Sequence, residues 1–158
     1  MKVLIVCLIL ALALPTLASE PVFLKLNQKG FKLENDIVLT GDYVANALSF
    51  SIPADVDMVV IDLNGHSIVS AVRPPAYSYA GGINLACGSD QTKVIIRNGK
   101  IQNFDAGIAC VGGQVFLENL TLLDNRVPFS INAAVVSVTA SLMPAVVELH
   151  NGAQVVKW

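Results

Sequence analysis

Five short segments of this chain share one alternating pattern, and this repeat limits the fold more than any other feature of the sequence. Apolar residues at the first and third positions of each segment point to one side of a β-strand, because side chains alternate between its two faces. A single turn of such a chain cannot bury its own apolar side chains, so the repeat predicts stacked coils of a solenoid. The segments are IVLTG from Ile37, VVIDLNG from Val59, VIIRNG from Val94, VFLENL from Val115 and VELHNG from Val147.

A second set of apolar pairs follows the repeats and predicts a further strand in each coil. Two of the intervals between repeats are longer and indicate insertions, one at residues 70–82 and one at residues 133–145. The first is rich in proline, glycine and small residues, as exposed loops are, whereas the second is apolar enough to pack against something. The pairs are Phe50 and Ile52, Ile83 and Leu85, Ile108 and Cys110, and Phe129 and Ile131.

Asparagine recurs at the fifth position of three repeats, as Asn98, Asn119 and Asn151. That position shares a face with the apolar residues, so the pattern predicts a buried file of amides that hydrogen-bond from coil to coil. An inward Asn119 would leave the formal glycosylation sequon Asn119-Leu120-Thr121 unmodified.

Three stretches resemble the right-handed parallel β-helix repeats of the pectin-lyase-like superfamily. They are VVIDLNGHSI (residues 59–68), VIIRNGKIQNFDAGIACVGG (94–113) and VFLENLTLLDN (115–125). The resemblance spans about residues 36–125 and implies the handedness, which the spacing alone does not show. The expected fold is all-β: a right-handed parallel β-helix of about five coils over residues 36–158. A short N-terminal cap at 19–35 precedes it, and its C-terminal end is incomplete.

Residues 1–18 have the pattern of a secretory signal, with one lysine, an apolar run from Val3 to Leu14, and small residues before a cut after Ala18. We therefore expect a protein that is secreted, periplasmic or on the cell surface. No later segment is apolar enough to span a membrane. The formal net charge of -2 provides no basic face for nucleic acid.

The catalytic patterns of the superfamily do not carry over to this chain. Polygalacturonase-like enzymes have an adjacent aspartate pair and an Asn-Thr-Asp stretch, and neither is present. Asp62 with His66 resembles the calcium strand of pectate lyases, but Arg97 takes the next position, so carboxylates for a hard cation are lacking. The sequence predicts neither a metal nor a cofactor. If the protein is an enzyme, Asp62, Arg97 and Lys100 are the candidate acid, charge-stabilising and base residues.

Two regions are candidates for binding a glycan. The outward column Asp62, Arg97 and Glu118, with His150 beyond, forms either a polar groove for sugar hydroxyls or simple cross-strand charge pairing. In the 70–82 insertion, the tyrosines Tyr77 and Tyr79 are able to stack on sugar rings while Arg73 binds a carboxylate or sulfate. The alternative is a plain loop whose tyrosines fold back onto the coil.

Cys87 and Cys110 are the cysteines that remain after signal cleavage, and their pairing depends on register. If Ile83 lies beside Ile108, the two Cα atoms are about 8 Å apart on a diagonal, outside disulfide range. If the motifs ACG and ACVG align, a bridge is feasible. The first register is favoured, and it predicts two buried thiols.

The sequence as a whole favours an exported β-helix scaffold or carbohydrate-binding module without catalytic residues, with polysaccharide or glycan as its partner. The incomplete end also fits a shortened relative of a longer protein. One alternative is a lyase or hydrolase acting on acidic polysaccharide. The other is a structural protein that forms homo-oligomers through open coil ends.

Overall fold

The computed structural model describes residues 30–71, 81–132, 134–139, 148–150, 152 and 154–157. The predicted signal segment and residues 19–29 lie outside this range, as do residues 72–80. All regular secondary structure in the described residues is β-strand. The strands are β1 (Phe31–Lys32), β2 (Ile37–Val38), β3 (Tyr43–Ala45), β4 (Leu48–Ile52), β5 (Met58–Asp62), β6 (Ser67–Ser70), β7 (Gly81–Cys87), β8 (Lys93–Gln102), β9 (Ala106–Val111), β10 (Gln114–Leu123), β11 (Val127–Asn132), β12 (Val135–Thr139), β13 (Glu148–His150) and β14 (Gln154–Lys157).

The strands form two sheets, and every pairing between described strands is parallel. The six-stranded sheet has the order β1-β4-β7-β9-β11-β13, and the eight-stranded sheet has the order β14-β12-β10-β8-β5-β2. Strand β3 pairs with β6, and β6 also pairs with β8 of the eight-stranded sheet. The chain therefore crosses between the sheets as it advances, and each strand pairs with strands from neighbouring repeats. The prediction of an all-β fold with parallel strands is confirmed.

The predicted register is correct in the middle of the eight-stranded sheet. Val59, Val94 and Val115 are Cα partners on adjacent strands. The next partners are Val136 and Val155, each one strand further on. The prediction that the repeat from Val147 comes next to Val115 is therefore wrong, because β12 lies there. Val147 itself lies outside the described residues. Residues 133–145 do not form a simple insertion, because they contain β12, the next strand of the repeat.

The first repeat is also displaced from its predicted position. Ile37 lies beside Ile61 and not beside Val59, and Leu48, not Phe50, lies beside Ile83. Both errors are shifts of two residues. Such a shift keeps every apolar side chain on the same face, so the alternating pattern cannot detect it.

The apolar side chains that face inward from both sheets form one buried cluster. In the eight-stranded sheet Ile61, Ile96 and Leu117 lie in one row with at most 1% of their surface exposed. Burying an aliphatic side chain of this size stabilises a fold by about 1.5–3 kcal/mol. The opposite face of each sheet carries the polar and half-exposed residues.

The asparagines are not where the alternation places them. Asn98 and Asn119 have φ angles of 58° and 48°, in the left-handed region that asparagine tolerates better than most residues. Each one bends its strand and shifts the inward positions by one residue, so Leu117 and Leu120 are both buried. Asn98 is half-buried and Asn119 is exposed, so the prediction of buried amides is wrong for both. Asn151 lies outside the described residues.

One part of the asparagine prediction does hold. The Nδ2 atom of Asn119 donates a hydrogen bond of 3.3 Å to Oδ1 of Asn98, 21 residues earlier. The amides therefore join one repeat to the next, but at a bend on the surface. With Asn119 exposed, the reason for expecting an unmodified sequon no longer applies.

Candidate functional site

The outer face of the eight-stranded sheet holds the row of charged side chains that the sequence predicted. Asp62 and Arg97 are Cα partners, as are Arg97 and Glu118. We call these three residues the polar column. His150 does not extend it, because its backbone lies beside Asn132 in the other sheet, and Thr139 takes the position next to Glu118.

Asp62 is held by hydrogen bonds from three residues. Arg97 donates from Nε to Oδ2 at 2.8 Å, and Asn98 donates from Nδ2 to both carboxylate oxygens at 3.2 Å. The backbone N–H of Asn64 donates to Oδ1 at 2.8 Å. The Asp62 side chain is only 14% exposed, whereas the Arg97 side chain is 42% exposed. The carboxylate is thus the fixed anchor of the column, and the guanidinium reaches toward solvent.

These contacts set the protonation state of Asp62. Partial burial alone would raise the pKa of this carboxyl, but the hydrogen bonds from Arg97, Asn64 and Asn98 outweigh it and lower the pKa below its ordinary value of 3.8. Asp62 is therefore ionised at neutral pH. It is an acceptor there and has no proton to give as a general acid.

Arg97 and Glu118 keep part of their hydrogen-bonding capacity for other partners. The bond from Arg97 to Asp62 uses Nε, and the terminal nitrogens donate to no other described residue. Glu118 is half-exposed, and no ion pair within the described chain joins it to Arg97. A half-exposed donor therefore lies on the strand next to a half-exposed acceptor, with a strand spacing of about 4.8 Å.

A second row of outward side chains runs beside the polar column. Val60, Ile95 and Phe116 are Cα partners on the same three strands, two residues before Asp62, Arg97 and Glu118, and all three are half-exposed. We call them the apolar column. The alternation placed these residues outward, but the sequence interpretation assigned them no role. The feature of the sequence that could have indicated this surface is the aromatic residue Phe116 at an outward position.

The remaining catalytic candidate, Lys100, lies beyond the bend at Asn98 and has Ser67 and Thr121 as its Cα partners. His66 also belongs to a different group: its Nδ1 lies 3.6 Å from Oδ1 of Asp42, which accepts the backbone N–H of Ser67 at 2.8 Å. The structure thus brings Asp62 and Arg97 together and places Lys100 on another row. Arg73, Tyr77 and Tyr79 lie outside the described residues.

The sequence interpretation missed a buried carboxylate. Asp105, 3% exposed, receives hydrogen bonds from Nε of Arg126 to Oδ1 at 2.5 Å and from Nη2 to Oδ2 at 3.4 Å. The two residues lie 21 positions apart, in equivalent turns before β9 and β11. Their spacing equals the repeat, and that was the signal available in the sequence. The pair joins adjacent repeats at the turns that follow β8 and β10.

Cys87 and Cys110 are both free thiols, Cys110 buried and Cys87 half-buried. Leu85, not Cys87, is the Cα partner of Cys110, which is the register expected from Ile83 and Ile108. Interaction with the Cys87 thiol and burial raise the pKa of Cys110, whose S–H donates to the carbonyl oxygen of Gly112 at 3.2 Å. Interaction with the Cys110 thiol lowers the pKa of Cys87, against the effect of burial.

The residues described by the structure contain no group of three or more His, Cys, Asp or Glu side chains arranged to hold a metal ion. They also include no helix that is long and apolar enough to cross a membrane.

A shallow depression of about 260 Å³ lies on the outer face of the six-stranded sheet, with Ser49, Ala86, Ala109 and Val111 in its lining. Its polar surface is small, so the polar column remains the candidate with the richer chemistry.

No protein-family model, curated protein or solved structure matches this chain.

Proposed function

We propose that this protein is an exported, right-handed parallel β-helix of the pectin-lyase-like kind that binds glycan on the outer face of its eight-stranded sheet. The alternation of the chain between two parallel sheets around one core supports the β-helix. The resemblance of residues 36–125 to β-helix repeats supports the handedness and the family. The signal-like residues 1–18 support export.

One observation carries the binding proposal: the polar column and the apolar column lie side by side in register. Sugars present hydroxyl groups at their edges and C–H groups on their ring faces. A site for them therefore needs charged or polar hydrogen-bonding groups next to an apolar, preferably aromatic, surface. Arg97 and Glu118 supply the first, and Ile95 and Phe116 supply the second.

Binding without cleavage fits the column better than catalysis does. Asp62 is ionised and held by Arg97, so it is neither a proton donor nor a free base. Lys100 lies on another row. We therefore expect no unsaturated product and no new reducing ends when the protein is incubated with polygalacturonate, alginate or chondroitin.

A glycan array followed by calorimetry on the best ligand tests the proposal. Phe116→Ala removes the aromatic surface and should weaken binding by roughly twofold to tenfold, because aromatic contacts contribute about 0.5–1.5 kcal/mol beyond their area. Val111→Ala is the matched control, since Val111 is an apolar residue, 53% exposed, on the outer face of the other sheet. Equal losses in both variants, or no glycan bound by the wild type, would refute the proposal.

A further inference from the structure

The charges of the polar column alternate in sign from strand to strand, and this arrangement affects which glycans the column binds. The guanidinium of Arg97 lies between two carboxylates, Asp62 on one neighbouring strand and Glu118 on the other. An anionic group that approaches Arg97 therefore meets a negative charge on both sides, at a strand spacing of about 4.8 Å. The ion pair with Asp62 further offsets the positive charge of Arg97.

Two other cations lie on the same strand as Arg97, but not next to it. Lys93 is four residues away, and Lys100 is three residues away past the bend at Asn98. At about 3.3 Å per residue, both charged groups are on the order of 10 Å from Arg97 along the strand, where physiological salt screens exposed charges strongly. The carboxylates beside Arg97 thus dominate the local field.

The hydrogen-bonding groups of the column also have a definite order. Arg97 offers donors only, and ionised Glu118 offers acceptors only. Two hydroxyls on neighbouring sugar carbons match this order, because one accepts from Arg97 while the other donates to Glu118. Asn119 adds an acceptor: its Nδ2 is engaged with Asn98, and Oδ1 of this exposed amide accepts from no described residue.

We infer that the polar column binds neutral glycans through vicinal hydroxyl pairs and discriminates against glycans that carry carboxylates. This inference rests on the proposed function and narrows it to one ligand class. Phe116, two residues before Glu118 on the same face, receives the ring of the sugar whose hydroxyls the column binds.

Three hexasaccharides separate the two requirements. A β-1,4-linked glucose hexamer has a free 2,3-hydroxyl pair on every internal sugar. A β-1,3-linked glucose hexamer lacks a vicinal pair on its internal sugars, because O3 is in the linkage. Hexagalacturonate has the 2,3-pair and a carboxylate. Calorimetry with the full chain should show the β-1,4 hexamer binding at least tenfold more tightly than either of the others.

The variant Glu118→Gln removes one flanking charge and keeps a side chain of the same size. It should weaken binding of the β-1,4 hexamer by roughly threefold to tenfold, as expected for losing a charge-assisted hydrogen bond, and strengthen binding of hexagalacturonate. Asp55→Asn, an equal charge change at an exposed residue outside the column, should leave both affinities unchanged. Circular dichroism of both variants confirms that they are folded.

The outcomes distinguish the inference from the function on which it rests. If hexagalacturonate binds as tightly as the β-1,4 hexamer, or the β-1,3 hexamer does, the inference is wrong while glycan binding at this face stands. The inference is also wrong if Glu118→Gln changes the affinities for the β-1,4 hexamer and for hexagalacturonate by no more than Asp55→Asn does. If none of the three hexamers and no glycan on the array binds, both the inference and the proposed function fail.

Discussion

Asp62 collects four hydrogen bonds from three residues on its own strand end and the next strand, and Glu118 in the same column has no ion pair among the described residues. Asp62→Ala should therefore lower the free energy of unfolding by roughly 1.5–3 kcal/mol, because it leaves Arg97 and Asn98 without their acceptor. Glu118→Ala should change it by less than about 0.5 kcal/mol. Urea unfolding measures both, and similar values for the two variants would contradict the described contacts.

The same carboxylate predicts a pH dependence. The pKa of Asp62 is lowered in the folded protein, so between the folded and the unfolded pKa only the unfolded state binds the proton. The stabilisation is complete above the ordinary value of 3.8 and is lost as the pH falls through the folded pKa. The difference in unfolding free energy between wild type and Asp62→Asn should be constant near neutral pH and shrink below about pH 4. A difference that grows on acidification would reverse the sign we assign.

The two thiols should differ in reactivity. Cys87 is half-buried with a lowered pKa, and Cys110 is buried with a raised pKa, so Cys87 has the larger thiolate fraction and the better access. Iodoacetamide labelling of the native protein, read peptide by peptide in a mass spectrometer, should modify Cys87 well before Cys110. Labelling of Cys110 first would contradict this order.

At the scale of single residues, the sequence predicted which face of a strand a side chain occupies better than it predicted the backbone conformation. Alternation placed Asp62, Arg97 and Glu118 outward correctly. It failed at Asn98 and Asn119, because alternation assumes an extended backbone and these residues have positive φ. Asparagine permits a left-handed backbone conformation but does not require it. The hydrophobic periodicity therefore does not show where such a residue occurs.

At the scale of strands, what the sequence could predict was limited by register. The motif VELHNG has the repeat pattern, yet its strand β13 belongs to the six-stranded sheet and pairs with β11. The strand that continues the eight-stranded sheet, β12, has the sequence VVSVT and lacks the Asn-Gly ending. Parallel backbone pairing does not require an Asn-Gly ending. The buried side chains of Val136 and Val138 are enough to place β12 against the core.

Close contact between strand ends predicts a strong effect of one glycine. A Cβ atom on Gly99 would collide with the side chain of Leu63 and lie 2.6 Å from the carbonyl oxygen of His66. Gly99→Ala should therefore destabilise the protein by about 1–3 kcal/mol. Gly41→Ala is the control, because no atom lies within 4 Å of its added Cβ and its φ is not in the left-handed region. Thermal unfolding compares them, and equal midpoints would show that Gly99 packs less closely against the turn between β5 and β6 than described.

For the whole molecule, the composition and the repeat were enough to predict parallel all-β structure, because apolar residues at every second position have to share one buried interior. They were not enough to fix how many residues each repeat contains, since strands of different sequence occupy equivalent places. Export, glycan binding and association through coil ends stay predictions. Association would be detected as an apparent mass that rises with protein concentration.

The polar column and the apolar column both depend on the stacking of equivalent residues from successive repeats. Nuclear Overhauser contacts between backbone protons test it directly. We predict contacts that place Val115 between Val94 and Val136 in parallel register. Contacts from Val115 to Val147, or the short Hα–Hα contacts typical of antiparallel strands, would contradict it.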